Sequence, residues 1–356
     1  MAKKQKKDYS KLLKHISSEV KRIAKERKCD PGSLKKVDFF ASAKGVTAWD
    51  ISQLGGYSSI MQTMFNVPTR QNSAAYPKYK PNKLKNFAVH GNNMDDMFKE
   101  ANLSKDGVFK IVVQPDTHVP QHDKRAISAF NKFLKDYKPH GYINIGDFLE
   151  NDPSSHWDAK DAKPRRLVPE IIEARQVLDD TLKAAGPQCK FRRFLMGNHE
   201  DWTDQLLTSK IPEIYDGLED LGVNLSIGGL LGLKDRNFKV IPINEILKVG
   251  GAHFIHGYYT SSHHAKKHLD VFGVNIYYGH LHDVQSHSGV SVEGLHESMS
   301  LGCLRSLNAA FLKGKPNNWS HAFGIFEFRI DGSFTRYVPI ITEGEFTFNG
   351  KVYRGD

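Results

Sequence analysis

Five short apolar runs between residues 109 and 278 each lead directly into a polar motif, and that pairing constrains the fold more than any bulk property. Residues 109 to 114 precede Asp116-Thr117-His118, and residues 142 to 145 precede Gly146-Asp147. Residues 191 to 196 precede Gly197-Asn198-His199-Glu200, residues 252 to 255 precede His256-Gly257, and residues 275 to 278 precede Gly279-His280-Leu281-His282. Runs of four to six residues rich in Val, Ile, Phe and Tyr read as buried strands. Residues 123 to 137 and 167 to 185 carry helical periodicity, so strands alternate with helices as in an α/β sandwich. Strands dominate afterwards, at 238 to 242 and 246 to 250. Asp331-Gly332 and Asn349-Gly350 mark hairpin turns near the end of the chain. In open α/β sheets the strand ends form the ligand crevice, so motifs far apart in sequence converge there.

The residue types in these motifs are metal donors. Asp116 and His118, two positions apart, can reach one cation from a loop. Imidazole suits Mn, Fe, Zn or Ni, while carboxylate and amide oxygens favour the harder ions. The mixture predicts a pair of divalent transition-metal ions, Mn²⁺ first, with Fe, Zn, Ni or Mg as other candidates. Two adjacent cations can hold both the attacking and the leaving oxygen of a phosphoester.

Charge divides the chain. Residues 1 to 90 hold 19 Lys and Arg against 6 Asp and Glu, whereas the remainder holds 31 against 34, so the net +10 belongs to the N-terminal segment. Segregated positive charge predicts a polyanion partner, nucleic acid and DNA first. The segment itself reads as helical: residues 9 to 28 place Leu12, Leu13, Ile16, Val20 and Ile23 on one side of a helix. Two short helices follow, capped by Thr47 and Ser58 and separated by Gly55-Gly56. They resemble a helix-turn-helix, with Tyr57, Ser58, Ser59, Gln62 and Thr63 as candidate groove contacts. A small packing or homo-oligomerisation unit is the other reading. The expected domains are a basic helical unit over 1–65, a Pro- and Lys-rich linker over 66–105 and an α/β domain over 106–356. The three cysteines, Cys29, Cys189 and Cys303, are too far apart for a disulfide framework and read as buried small hydrophobes in a reducing compartment. With no apolar span long enough for a bilayer and no leader-like start, the expectation is a cytoplasmic, non-secreted protein without a membrane partner.

The ordered set DxH, GD, GNHE, HG and GHxH, spread over residues 109 to 283, resembles the calcineurin-like metallophosphoesterases. That resemblance implies a two-sheet β-sandwich flanked by helices, here with a small all-α N-terminal domain. It implies that Asp116, His118 and His282 hold one metal, that Asn198, His256 and His280 hold the other, and that Asp147 bridges them with a water or hydroxide shared between the ions. It also implies that His199 is no ligand but a general acid beside the scissile phosphate. The second motif, Gly146-Asp147-Phe148-Leu149-Glu150, lacks the Arg usual in the family's protein phosphatases and is nearer its nuclease and phosphodiesterase branches. The expected activity is therefore a two-metal phosphodiesterase hydrolysing nucleic acid, most simply a DNase. Two alternatives stand beside it. One is a phosphomonoesterase or small-nucleotide phosphodiesterase; the other is a DNA-binding or scaffolding protein with a vestigial esterase core. Several residues keep open roles: Glu200 orients His199 or caps the following helix, and His156 touches phosphate or is merely exposed. His263, His264, Lys266, Lys267 and His268 line a polyanion groove or a solvated helix face. His122 and Asp123 read as a turn or a helix cap.

Overall fold

The computed structural model describes residues 10–29, 39, 42–44, 46, 87–151, 166–211, 223–292, 294–309 and 312–356. The helix-turn-helix expectation, most of the 66–105 linker and His156 lie outside these residues. The chain divides into two compact units, residues 1–80 with 205–225, and residues 81–204 with 226–356. In the first unit, α1 (Ser10–Glu26) is the amphipathic helix the sequence predicts, with Ile16, Val20, Ile23 and Ala24 fully buried. Glu19, on the same helix, accepts the Lys44 backbone N–H at 2.7 Å and pairs with Arg22.

The second unit is built on two six-stranded sheets. One runs β12-β11-β2-β3-β4-β5, from β2 (Phe109–Gln114), β3 (Gly141–Asn144), β4 (Phe191–Leu195), β5 (Lys239–Ile241), β11 (Gly324–Phe328) and β12 (Phe334–Tyr337). Strands β2 to β5 are parallel, whereas β11 and β12 return antiparallel. The other runs β1-β6-β7-β8-β10-β9, from β1 (Val89–His90), β6 (Ile246–Val249), β7 (Ala252–Ile255), β8 (Ile276–Tyr278), β9 (Ser286–Ser291) and β10 (Gly294–Ser300). A hairpin of β13 (Glu345–Phe348) and β14 (Lys351–Arg354) completes the strands, its turn made by Asn349 and Gly350, both at positive φ.

Period-two alternation sorts the side chains into layers. Ile111, Val113, Ile143 and Leu195 of the first sheet meet Leu247, Val249, Phe254, Tyr277 and Met299 of the second, forming the sandwich core. Val112, Tyr142 and Phe194 point the other way, onto α3 (Lys124–Tyr137) and α4 (Leu167–Ala185), where Phe130, Phe133, Leu178 and Leu182 cover them. The short α6 (Ile227–Leu230) adds Ile227 to that layer. Ile255, Ile276 and Tyr278 line the outer face of the second sheet, packed with Phe272 of α7 (His264–Phe272). The result is a two-sheet sandwich with helices on both outer faces, the fold class expected from the sequence. Truncating a central side chain such as Phe254 to Ala would cost about 3–5 kcal/mol.

Two expectations need correction. Residues 89–105 belong to the sandwich unit, not to a linker: Val89 pairs with Ile246 and His90 with Leu247. They are followed by α2 (Met94–Glu100), which buries Met97 and Phe98 and is capped by Asn93. Asn- and Asp-rich composition masked Met94, Met97 and Phe98, apolar residues at i, i+3 and i+4. Among the cysteines, Cys189 and Cys303 are buried as expected, but Cys29 is exposed; all three are free thiols. No described helix is long and apolar enough to cross a membrane.

Candidate metal centre

Each motif sits where its strand ends, and all five ends face one another. Asp116 and His118 follow β2, Asp147 follows β3, and His256 follows β7. Asn198 opens α5 (Asn198–Lys210) after β4, and His280 and His282 follow β8. The sharp exits are written into the backbone: His118, Asp147, Asn151, His280 and His282 all hold φ between 48° and 70°. A non-glycine residue in that region costs on the order of 1–3 kcal/mol, which surrounding contacts must offset. Two motif glycines are required sterically, since a Cβ on Gly279 would collide with the Asp116 carboxylate and one on Gly197 with Asp147.

The donor atoms fall into groups that share a residue. Asp116, His118, Asp147 and His282 bring one ligand atom each within 4.8 Å of one another, and so do Asp147, His256 and His280. Asn198 Oδ1 lies 3.0 Å from His256 Nε2, which places the amide beside the second group. Asp147 is common to both groups. A third group joins His118 to Glu150 and His199.

The donor geometry fits a cation. His118 Nε2 and His282 Nε2 are 3.0 Å apart, His256 Nε2 is 3.3 Å from Asp147 Oδ2, and His282 Nε2 is 3.6 Å from Asp116 Oδ1. Ligands at bond lengths of about 2.0–2.1 Å around one ion lie roughly 3.0–3.4 Å from each other. Asp116 Oδ2 and the Nδ1 atoms of His280 and His282 are buried without a hydrogen-bond partner. Polar atoms so placed are costly unless something else satisfies them.

Electrostatics points the same way. Burial drives His118 and His282 well below the usual imidazole range and His280 to about 4, so these rings offer lone pairs at neutral pH. His256 behaves oppositely: burial disfavours its charge, but Asp147, Asp116 and Glu200 outweigh burial and raise it to about 10. A position where carboxylates stabilise a buried positive charge is one a metal ion can occupy. The two aspartates part: burial raises Asp116, whereas at Asp147 the surrounding histidines, His256 first, overcome burial and hold the carboxyl ionised.

Three residues that the motifs alone left without a fixed role back the ligands. Glu150 Oε2 is 2.9 Å from His118 Nδ1, although neither atom makes a hydrogen bond, and its Oε1 is 3.2 Å from Arg305, so the carboxylate sits behind the His118 ring. Hydrogen-bonded outer partners set tautomer and ring orientation. The Ile145 carbonyl is such a partner to His256, 2.9 Å from its Nδ1. Glu200, fully buried, accepts the backbone N–H groups of Asp147 at 2.9 Å, Leu149 at 3.0 Å and Gly197 at 2.9 Å. Its bond to Gly197 caps α5, which begins four residues earlier than Trp202; the other two bonds pin the Asp147 loop. Glu150 was recoverable as the acid three positions after Asp147, whereas the partners of Glu200 are long-range and invisible to spacing. His199 stands apart from both donor groups around Asp147. Its Nδ1 lies 2.5 Å from the Glu150 carbonyl, its Nε2 3.8 Å from Asp147 Oδ2, and its ring against Trp202 at 4.0 Å.

The His263–His268 segment is not a solvated face throughout. His264 and His268 are buried: His264 contacts the Tyr278 hydroxyl at 2.7 Å and Asp283 at 3.0 Å, and His268 Nε2 accepts the Tyr258 N–H at 3.0 Å. Lys266 and Lys267 are exposed. Asp123 caps α3 through the Ala126 N–H at 2.8 Å, as expected.

No family model matches the chain. The Gene 54 protein of Mycobacterium phage D29 is 26% identical over 263 residues, spanning 68% of this chain and 98% of that protein. Its counterpart from Mycobacterium phage L5 is 25% identical over 264 residues, with the same coverage. Among solved structures, Vps29 of Chaetomium thermophilum aligns at 11% identity and TM-score 0.38, covering 70% of this chain and 100% of that one. Vps29 of Entamoeba histolytica complexed with zinc aligns at 12% and 0.36, covering 69% and 97%. The cold-active protein-tyrosine phosphatase of a psychrophilic Shewanella species aligns at 12% and 0.26, covering 71% and 84%. These likenesses are too distant to transfer the role of any residue.

Proposed function

We propose that the chain is a metal-dependent phosphoester hydrolase of the calcineurin-like kind, working as a two-metal phosphodiesterase on nucleic acid, DNA first. The observation that carries this reading is the position of Asp147, one buried carboxylate common to two donor groups. Asp116, His118 and His282 would hold one ion, and Asn198, His256 and His280 the other. Bound there, a divalent pair supplies Lewis-acid polarisation of phosphoryl oxygens and lowers the pKa of water, with Mn²⁺ the first candidate.

The remaining chemistry belongs to the protein. The Ile145 carbonyl fixes the tautomer of His256, Glu150 stands behind the His118 ring, and Glu200 fixes the Asp147 loop, so the donors need little rearrangement. His199 donates Nδ1–H to the Glu150 carbonyl, which leaves Nε2 to carry a proton to the departing oxygen. General-acid help of this kind is worth about 10²- to 10⁴-fold. The basic N-terminal segment supports a polyanionic substrate, since lysines near phosphates release counterions on binding.

The test is a substrate panel on the full chain with titrated Mn²⁺: single- and double-stranded DNA, RNA, a phosphomonoester and a small phosphodiester. Metal-dependent DNA cleavage that stops on chelation is expected. Turnover of only the small esters would contradict the nucleic-acid assignment.

A further inference from the structure

His199, the proposed general acid, is gripped by the loop that carries Asp147. Its ring donates Nδ1–H to the Glu150 carbonyl, and its backbone N–H donates to Asp147 Oδ1 at 3.0 Å. The residue after Glu150 holds the other side of the His199 backbone: Asn151 Nδ2 lies 2.5 Å from the His199 carbonyl oxygen. Thr203 Oγ1, one turn further along α5, lies 2.7 Å from the same Nδ2 and 3.0 Å from Asn151 Oδ1. The Asn151 backbone N–H donates to the Glu170 carboxylate of α4. Asn151, Glu170 and Thr203 are all buried, Asn151 completely.

Chemistry fixes which way the amide points. A peptide carbonyl only accepts, so the atom facing the His199 oxygen is the NH₂ end. Oδ1 is then left to the Thr203 hydroxyl, and both ends of the amide are used. Asn151 also holds φ at 52°, a left-handed conformation that Asn adopts more readily than most residues with a Cβ. Ring and backbone of His199 are thereby held by consecutive residues, one through its carbonyl and one through its side chain. What this grip decides is where His199 Nε2 sits, because a proton donor must come within hydrogen-bond reach of the oxygen it serves.

We propose that Asn151 is a positioning residue for phosphoester hydrolysis, setting the reach of His199 Nε2 to the departing oxygen while touching neither metal nor substrate. This rests on the hydrolase reading above, with His199 as general acid. In the step it serves, the attacking hydroxide oxygen forms the new bond to phosphorus. The bond to the leaving oxygen breaks with its electron pair, and His199 Nε2 gives that oxygen its proton. An alkoxide, strongly basic, needs that proton to leave; 4-nitrophenolate departs without it. A shift of about 1 Å in a group of this kind costs about 10²-fold.

The experiment is a double-mutant cycle on the full-length protein loaded with Mn²⁺. It is read as kcat/KM for two diesters that differ in leaving group, a thymidine dinucleotide and bis(4-nitrophenyl) phosphate, with metal content measured for every variant. Asn151→Asp keeps the shape and the turn but sets an oxygen against the His199 carbonyl. Asn151→Gly keeps the turn, removes the amide, and carries the test should the buried carboxylate prevent folding. Each should lower dinucleotide turnover about 10²-fold at wild-type metal content and leave bis(4-nitrophenyl) phosphate nearly unaffected. Joined to His199→Ala, neither should lower the rate further, whereas losses at independent sites multiply. Equal losses on both diesters, loss of metal, losses that multiply in the double variant, or an Asn151→Gly variant as active as wild type would each overturn the proposal and leave the hydrolase reading intact. If wild type takes only monoesters, an alkyl phosphate and 4-nitrophenyl phosphate replace the two diesters, and the same outcomes decide. A His199→Ala variant as active as wild type on the alkoxide ester, or no hydrolysis of any ester by wild type, would sink the general-acid reading and this inference together.

Discussion

Two neighbouring regions bury histidines, and they differ in whether the protein satisfies the rings. On α7, His264 places its two nitrogens on the Tyr278 hydroxyl and Asp283, and His268 places its own on the His264 carbonyl and the Tyr258 N–H. Every ring nitrogen there has a partner within the chain. At the strand ends, His118 and His282 aim their Nε2 atoms at each other across 3.0 Å, and His280 and His282 leave Nδ1 without a hydrogen bond. Burial alone therefore does not mark a ligand. The mark is buried nitrogens that converge on one point and on carboxylates; His280 and His282 also leave Nδ1 unsatisfied, whereas both nitrogens of His256 have partners.

The contrast can be broken by substitution. Asp147→Ala removes the carboxylate common to both donor groups, and should abolish metal retention at both and lower turnover on the order of 10³-fold. Metal analysis after gel filtration, alongside the cleavage assay, checks it. His199→Ala should lower turnover by about 10²- to 10⁴-fold while metal content stays at the wild-type level. Loss of metal from that variant would move His199 into the ligand set. His264→Ala should behave as a structural lesion: it strips partners from Tyr278 and Asp283, and should cost about 1–3 kcal/mol of stability in denaturant unfolding. The smallest effect is a pH dependence. Burial pushes His268 to about 4, so the folded state favours the neutral ring. Its stabilising contribution is complete above the unfolded value near 6.5, erodes as pH falls below it, and is gone by about 4. Melting temperatures over that window should fall, and His268→Gln should flatten part of the slope.

Much of this arrangement was legible before the structure. Strand-ending motifs place their side chains locally, so the convergence of the five strand ends was readable from apolar runs and spacing, whereas the choice of ligands among their residues came from the family resemblance. The helix boundaries at residues 167 and 185 and the Asn349-Gly350 turn followed from periodicity and turn chemistry. What spacing could not supply were partners fixed by tertiary contact. Glu200 bonds residues 51 and 53 positions away, and Trp319 reaches His282 across a separate loop. The α7 segment misled for a related reason: Lys266 and Lys267 suggested a solvated face, but a helix turns its sides differently, and His264 and His268, one turn apart, face the sheet.

The two-metal reading stands or falls on Asp147 joining two cation sites. Diffraction at the manganese absorption edge from Mn²⁺-loaded crystals, with the metal content of the same sample measured, tests it directly. Two anomalous peaks are expected, one among Asp116, His118 and His282, the other among Asn198, His256 and His280, with Asp147 contacting both. A single peak, or ions bound without Asp147, would contradict it.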